Sequence, residues 1–389
     1  MKILVLFLLV NYVVGYEDPA FKDLAQSNNA FSSKLHKELS KSKAENFIVS
    51  PFSAETILAL TALGAKGGTA TELFRGLCLP PDPQRVKDQF SSVRPYIKTG
   101  RFSTLLTANR IYVENGFGIV PEFIETSGNY FDADIQNVNF GQTEETSLKI
   151  NNWVESKTNG KIKKLVSSDI LNELTRVVLV NALYFKGIWV NPFRKQHTQL
   201  MGFYNTPTDI VQVQTMQSTA YREYADNDDL DATFVNLPYV GTDLHLNLVI
   251  PKKVDGLNSI ESKMDLVLKP QNYTKETIKL FLPKFKVEMT MNLVPSLQNL
   301  GITRLFNRDA DLSGISIKEG LYVSNVVQKV FMNVDERGTE AAAATAVISN
   351  ARSAAIPRQS KLEIKVDRPF LFFLKLKNMV LFSGRIAVL

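Results

Sequence analysis

The chain has 389 residues, 44 % hydrophobic and 22 % charged, with 20 glycines and 16 prolines. This is ordinary globular composition, and it excludes a collagen, a coiled coil and a disordered tail. The length accommodates two or three domains, or one large α/β domain with a substantial core. The formal charge is +6 and the basic residues are scattered, so an anionic partner is permitted but not required, and no nucleic-acid-binding motif accompanies the charge.

Met1-Lys2 precedes the apolar run Ile3 to Val10, and a second apolar stretch ends at Val13-Val14-Gly15. A charged start, an apolar core and small residues before a polar segment read as a secretory signal over residues 1–15. The run is short and interrupted for a membrane span, and no later stretch reaches that length without charges. The single cysteine, Cys78, lies between Leu77 and Leu79. It cannot form an internal disulfide and reads as a buried, inert thiol, with pairing to another molecule as the alternative. Asn272-Tyr273-Thr274 is the one N-x-[ST] sequon without proline, so Asn272 is a candidate glycosylation site.

The first third reads mostly helical. Phe21 to Leu39 carries apolar residues near helical spacing, and Ser53 to Leu63 follows a Ser50-Pro51 start. The glycine-rich Gly64-Ala65-Lys66-Gly67-Gly68 breaks the pattern, and Thr69 is placed to cap the next helix. A further helix is predicted over Ile150 to Thr158, ended by Asn159-Gly160. Strands dominate the remainder. Val177 to Phe185 suits a sheet covered on both faces. Leu244 to Ile250, Ile278 to Leu282 and Tyr322 to Val334 are further strand candidates. Pro283 to Met289 and Lys361 to Asp367 alternate apolar and polar, which leaves one face wet. Phe370 to Leu376, Lys377-Asn378 and Val380 to Phe382 read as a buried hairpin. Helices first and antiparallel strands after argue for α+β.

Enzyme chemistry is hard to find. Only His36, His197 and His245 exist, and none sits in a recognisable Ser-His-Asp context. There is no G-x-S-x-G elbow, no zinc cluster and neither a P-loop nor G-x-G-x-x-G. The chain is expected not to be an enzyme, to hold no metal and to require no cofactor.

Gly338 to Ser353 stands out. No charge falls between Glu340 and Arg352, and nearly every side chain is small. Alanine is the best helix former, so propensity favours a helix. The same residues also suit a strand that slides between others without steric penalty. Thr339, Ala341, Ala343, Thr345 and Val347 would then share one face. Flanked by strand candidates and ending at Arg352-Ser353, such a tether resembles bait for a protease.

Several segments in order now resemble one family, the serpins. They are Asn46 to Ser53, Leu63 to Leu73, Ala108 to Val113, Ile150 to Val154 with Thr158 to Ile162, Asn181 to Trp189, Leu282 to Lys286, Glu336 to Thr345 and Arg368 to Phe372. Each is weak alone, but the ordered set covers essentially the whole chain after residue 15. The resemblance implies a single serpin domain over 16–389, about nine helices around three β-sheets, with an exposed reactive-centre loop at about 337–360. It further implies a secreted suicide inhibitor of serine proteases. The alternative within the family is a non-inhibitory carrier, storage protein or chaperone.

The implied mechanism begins at a hinge formed by Glu336, Gly338, Thr339, Glu340, Ala341, Ala342, Ala343 and Ala344. Small residues at this hinge mark inhibitors. The family's spacing places the scissile residue sixteen positions after Glu336, at Arg352, with Ser353 leaving. An arginine there suits a trypsin-like protease, trapped as a covalent 1:1 complex with a monomer. Arg358 is the alternative, although it would need an unusually long inserted loop. Ser50, Ser53, Asn181, Trp189 and Gln328 fall at the family's shutter and breach, and Gln328 stands where many members carry histidine. A heparin-like polyanion is a candidate accelerator at Lys157, Lys161, Lys163 and Lys164, or at Arg94, Lys98 and Arg101. Helical spacing of the second group is weakened by Pro95.

Overall fold

The computed structural model describes residues 18–41, 45–97, 102–339 and 362–389. Nine α-helices occur among them: α1 (Pro19–Ser40), α2 (Pro51–Leu63), α3 (Gly67–Gly76), α4 (Pro83–Val93), α5 (Pro121–Phe131), α6 (Thr143–Lys157), α7 (Leu257–Ser262), α8 (Met264–Val267) and α9 (Val294–Asn299). The strands are β1 (Phe47–Val49), β2 (Ser103–Glu114), β3 (Asp134–Val138), β4 (Val177–Ile188), β5 (Gln199–Tyr204), β6 (Ile210–Asn227), β7 (Ala232–Pro238) and β8 (Leu244–Pro251). They continue with β9 (Thr274–Pro283), β10 (Phe285–Asn292), β11 (Val323–Val334), β12 (Gly338–Thr339), β13 (Leu362–Lys365), β14 (Phe370–Leu376) and β15 (Met379–Ile386). No described helix is long and apolar enough to cross a membrane.

The fold is α+β, as its sequence predicts. Hydrogen bonding joins the described strands into two networks, in place of three separate sheets. The reason is β6, which has 18 residues. Its first part pairs with β5, its middle with β9 and its end with β7. One strand thereby fuses what shorter strands would leave as two sheets. The second network runs β10-β11-β12-β4-β2-β3, and it holds the candidate site.

This smaller sheet is covered on both faces. Alternate residues of β4, Val178, Val180, Ala182 and Tyr184, pack with Ile150 and Val154 of α6. The other set, Val177, Leu179, Leu183 and Phe185, joins the main core with α2. β4 therefore reads as a continuous apolar run, and α2 is buried almost all round. Ser50 starts α2 as expected: its Oγ accepts from the Ser53 N–H at 3.2 Å, and Pro51 has no N–H to leave unpaired.

Three local expectations are corrected. Thr69 does not cap α3; it lies inside that helix, and its hydroxyl accepts from the Asp311 N–H. The glycine turn before it is a close contact, because a Cβ on Gly64 would meet Ile315 at 2.3 Å. Cys78 is half-buried, with Lys34 Nζ 3.0 Å from its Sγ. α6 begins at Thr143, one to two turns before the predicted start, because its first turns bury only Thr146 and Ser147 and leave no apolar signal.

The interior beside α2 holds an acid. Glu55 is fully buried, and Asn28 Nδ2 of α1 donates to its Oε2 at 2.9 Å. Among the described residues Glu55 Oε1, Asn28 Oδ1 and Ser32 Oγ have no hydrogen-bond partner. Burial pushes the Glu55 carboxyl up to about 8, against a smaller opposing pull from Asn28. It is therefore mainly protonated at neutral pH. Between the ordinary carboxylate value and 8, the unfolded chain has released this proton and the folded one has not. Stability must fall as pH rises through that window. Glu55→Gln should remove this decline, by up to about 1.4 kcal/mol per pH unit. Melting temperatures from pH 4.5 to 8.5 check it: the variant should match wild type at the acid end and exceed it at the alkaline end.

Candidate functional site

β11 and β4 run parallel and pair directly from Val323 and Val177 up to Phe331 and Tyr184, with one bulge near Val323. The Phe331 and Tyr184 rings stack over that last row at 6.5 Å. Above it the two strands part, and β12 enters between them. Gly338 pairs with Ile188, and Thr339 pairs with both Gly187 and Val334. β12 is antiparallel to each neighbour, so it uses a hydrogen-bonding edge of both.

This seat is built by the turn before it. Asp335 Oδ1 accepts from the N–H groups of Arg337 (2.8 Å) and Gly338 (3.3 Å). The Asp335 N–H donates to the Gly338 carbonyl at 2.9 Å. A Cβ on Gly338 would lie 1.8 Å from the Gly187 carbonyl oxygen, so only glycine permits this approach. Trp189 Nε1 donates to the Asp335 carbonyl at 3.0 Å. Its ring stacks on Tyr239, with centroids 4.4 Å apart. The Tyr239 and Thr339 hydroxyls share a hydrogen bond of 2.6 Å in the core. Burial pushes the Tyr239 hydroxyl far up, so it stays protonated.

Glu336 anchors the same turn. Its carboxylate accepts from Thr198 Oγ1 at 2.9 Å and pairs with Lys284 Nζ at 3.1 Å. Its carbonyl accepts from the Phe193 N–H at 2.8 Å. Burial alone would raise this carboxyl. Hydrogen bonds from its own backbone, Thr198 and Lys284 outweigh that and hold it below the usual carboxylate value.

Lower in the same seam, Gln328 of β11 is paired with Asn181 of β4, and Asn181 with Asn109 of β2. Gln328 Nε2 donates to Asn181 Oδ1 at 2.7 Å and to the Ser50 carbonyl at 2.9 Å, while its Oε1 accepts from the Ser50 N–H at 2.8 Å. Asn181 Nδ2 donates to the Ser53 hydroxyl and carbonyl and to Asn109 Oδ1. Ser50 Oγ donates to the Leu381 carbonyl at 2.7 Å. This buried row pins two strands to each other and to the start of α2. Leaving any of these groups unpaired would cost on the order of 1–3 kcal/mol, so the seam is shut firmly here.

The structure thus brings Ser50, Ser53, Asn181 and Gln328 into one network, and Trp189, Glu336, Gly338 and Thr339 into another. Glu340, Ala341, Ala342, Ala343, Ala344, Arg352, Ser353 and Arg358 lie outside the described residues. Asn272 is exposed just before β9. Lys157, the last residue of α6, and Lys161, Lys163 and Lys164 just beyond it are exposed, with Lys163 paired to Glu155 at 3.0 Å. Arg94 follows the last residue of α4, so helical spacing does not carry on from it. Lys98 and Arg101 lie outside the described residues. Sequence reasoning missed Tyr239, Thr198, Lys284 and Asn109 as parts of the site. Asn109 and Lys284 sit inside motifs already noted, whereas nothing local marks Tyr239 or Thr198.

A Ser-His-carboxylate chain does exist. His36 lies between Ser383 Oγ (2.6 Å) and Glu261 Oε1 (3.2 Å). Glu261 is also paired with Arg385 at 2.9 Å. All four side chains are buried, and burial lowers the His36 value despite Glu261. No substrate reaches this cluster; it ties α1, α7 and β15 together.

Comparison with known proteins agrees with this geometry. A family model described as serpin (serine protease inhibitor) matches residues 26–388. Alaserpin of Manduca sexta is 35 % identical over 396 residues, covering 99 % of each chain. Serpin B8 of Bos taurus is 35 % identical, covering 94 % of this chain and 99 % of its own. The crystal structure of Serpin48, described as a highly specific serpin of Tenebrio molitor, superposes with a TM-score of 0.88 at 38 % identity, covering 96 % of this chain and 100 % of that one. Members of this family are, in the main, inhibitors of serine proteases and not enzymes. The chain belongs to the serpin family.

Proposed function

We propose that this serpin is a secreted suicide inhibitor of trypsin-like serine proteases, cleaved at Arg352-Ser353. The observation that carries this reading is the seat of Gly338 and Thr339 between β11 and β4. The first two residues of a further strand are already in register, and the residues that follow are small and uncharged as far as Val347 apart from Glu340.

The protease binds the loop as a substrate. Its serine attacks the Arg352 carbonyl, the acyl-enzyme forms and the amine of Ser353 leaves. The freed loop then continues down the seam. Continuing the pairing of Thr339 with Gly187 and Val334 sets residue 345 level with Asn181 and Gln328. The direct Gln328 to Asn181 bond must open there, and the Thr345 hydroxyl enters the polar row on the same face. Each inserted residue pairs with two strands that previously paired with each other in parallel. Antiparallel pairing is the slightly more stable arrangement. Residues 339 to 352 number 14, so the tethered enzyme travels about 45 Å at about 3.3 Å per residue. Its active site is distorted before water completes hydrolysis, and the uncleaved fold is held kinetically.

The leader over residues 1–15 supports secretion, and the exposed Asn272 is available for glycosylation. The exposed lysines at and just beyond the end of α6 form the better of the two polyanion candidates. The inhibitor acts as a monomer in a covalent 1:1 complex and needs no cofactor.

Incubation with trypsin should give, on a denaturing gel, a band at the sum of the two masses and a released peptide beginning at Ser353. A peptide beginning at Gln359 would move the bond to Arg358, and clean cleavage without the band would leave a non-inhibitory serpin. Arg352→Ala should lower trypsin inhibition by at least about a hundredfold, because the pocket carboxylate loses its partner; full inhibition by the variant would overturn the assignment. Thr339→Arg puts a charge into the core position now bonded to Tyr239. It should be cut by trypsin at the wild-type rate while forming few complexes, which counting cleaved molecules per trapped enzyme would reveal.

A further inference from the structure

The seam between β4 and β11 is closed at its far end by side chains. The Tyr322 hydroxyl, one residue before β11, donates to the Leu174 carbonyl at 2.7 Å. Ser324 Oγ accepts from the Arg176 N–H at 3.0 Å. Asn325 Nδ2 donates to the Ile170 carbonyl at 3.2 Å. All three bonds cross from the start of β11 to the segment leading into β4. Each side is anchored outward: Asn325 Oδ1 accepts from Asn292 Nδ2 of β10, and the Arg176 carbonyl accepts from the Glu114 N–H of β2.

Register says when an incoming strand meets them. Val178 pairs with Asn325 and Val177 with Val323. Continued from Thr339, residue 346 stops level with Val180 and Val327. Residue 348 comes level with Val178 and Asn325, residue 350 reaches Val323 at the start of β11, and residues 351 and 352 run past the ends of both strands. The last five residues of the inserted segment therefore pass where Tyr322, Ser324 and Asn325 reach across.

We propose that these three residues form a clasp that resists the final stage of strand insertion, with Tyr322 and Ser324 as positioning residues for trapping. The proposal rests on the insertion reading above. The clasp holds the seam shut in the waiting inhibitor and opens only under a strand long enough to reach it. The bonds are peripheral and few, so they delay insertion without preventing it.

The test uses the uncleaved protein and two synthetic peptides copying residues 339–352 and 339–346, with uptake followed by native gel and by gain of heat resistance. Tyr322→Phe combined with Ser324→Ala removes two of the crossing partners and leaves the rings and backbone in place. The variant should take up the 14-residue peptide about two- to tenfold faster than wild type, as expected for the loss of modest net hydrogen bonds. Uptake of the eight-residue peptide, which stops short of the clasp, should be unchanged. Tyr221→Phe, exposed on β6, serves as the control. Equal acceleration of both peptides would mean general loosening, and no acceleration of the longer one would mean no clasp; either overturns the proposal. Wild type that accepts neither peptide would overturn the insertion reading and the clasp together, and that failure is visible before any variant is made.

Discussion

Everything in this molecule depends on one incomplete pairing. β4 and β11 are parallel neighbours over most of their length, yet they part at the top and admit Gly338 and Thr339. A parallel pair lying between antiparallel neighbours can take one more strand without reversing any existing direction. The two-residue β12 therefore marks a vacancy in the hydrogen-bonding pattern of the sheet. The aromatic stack of Trp189 on Tyr239, the Asp335 turn and the Glu336 to Lys284 pair all serve to hold its entrance in shape.

A sheet that can accept a strand must also be kept from accepting one too early. The buried row through Gln328, Asn181 and Asn109 does this at mid-length by binding the seam to α2. α6 covers the other face, with Ile150 and Val154 on β4. Backbone pairing of an inserted strand is indifferent to what is tethered to its far end. Under the proposed mechanism recognition and trapping are consequently separate: the residues around 352 would choose the protease, while Gly338, Thr339 and the seam would do the work whatever has been chosen. Bait could then change without any change in the core.

How much of this was legible in the sequence depended on where the cause lay. β4, the alternating β10 and the β14 to β15 hairpin announce themselves, because their burial pattern is local. Ser50 could be read as the start of a helix for the same reason, whereas Gly338 was singled out only by the family resemblance. β6 could not, since its run of Gln, Thr, Ser and Tyr is half exposed and its length comes from three different partners. The reason Gly338 must be glycine lies in Gly187, and the reason Thr339 is a threonine lies in Tyr239. Both partners are remote in the chain, so no periodicity points to them. The family resemblance supplied the roles of Asn181, Trp189 and Gln328; the contacts supplied the reasons.

Gln328 has one more consequence. An imidazole at this point of the seam would change charge near neutral pH, and with it the number of hydrogens it could donate. A primary amide does not titrate. Gln328, Asn181, Asn109, Ser50 and Ser53 are all neutral groups with fixed donors and acceptors, so the row opens and closes without taking up or releasing a proton. In the proposed mechanism the polar row beneath the sheet would itself be silent to acidity across the physiological range, and would hold the seam in the same way in a neutral fluid and in a mildly acidic one.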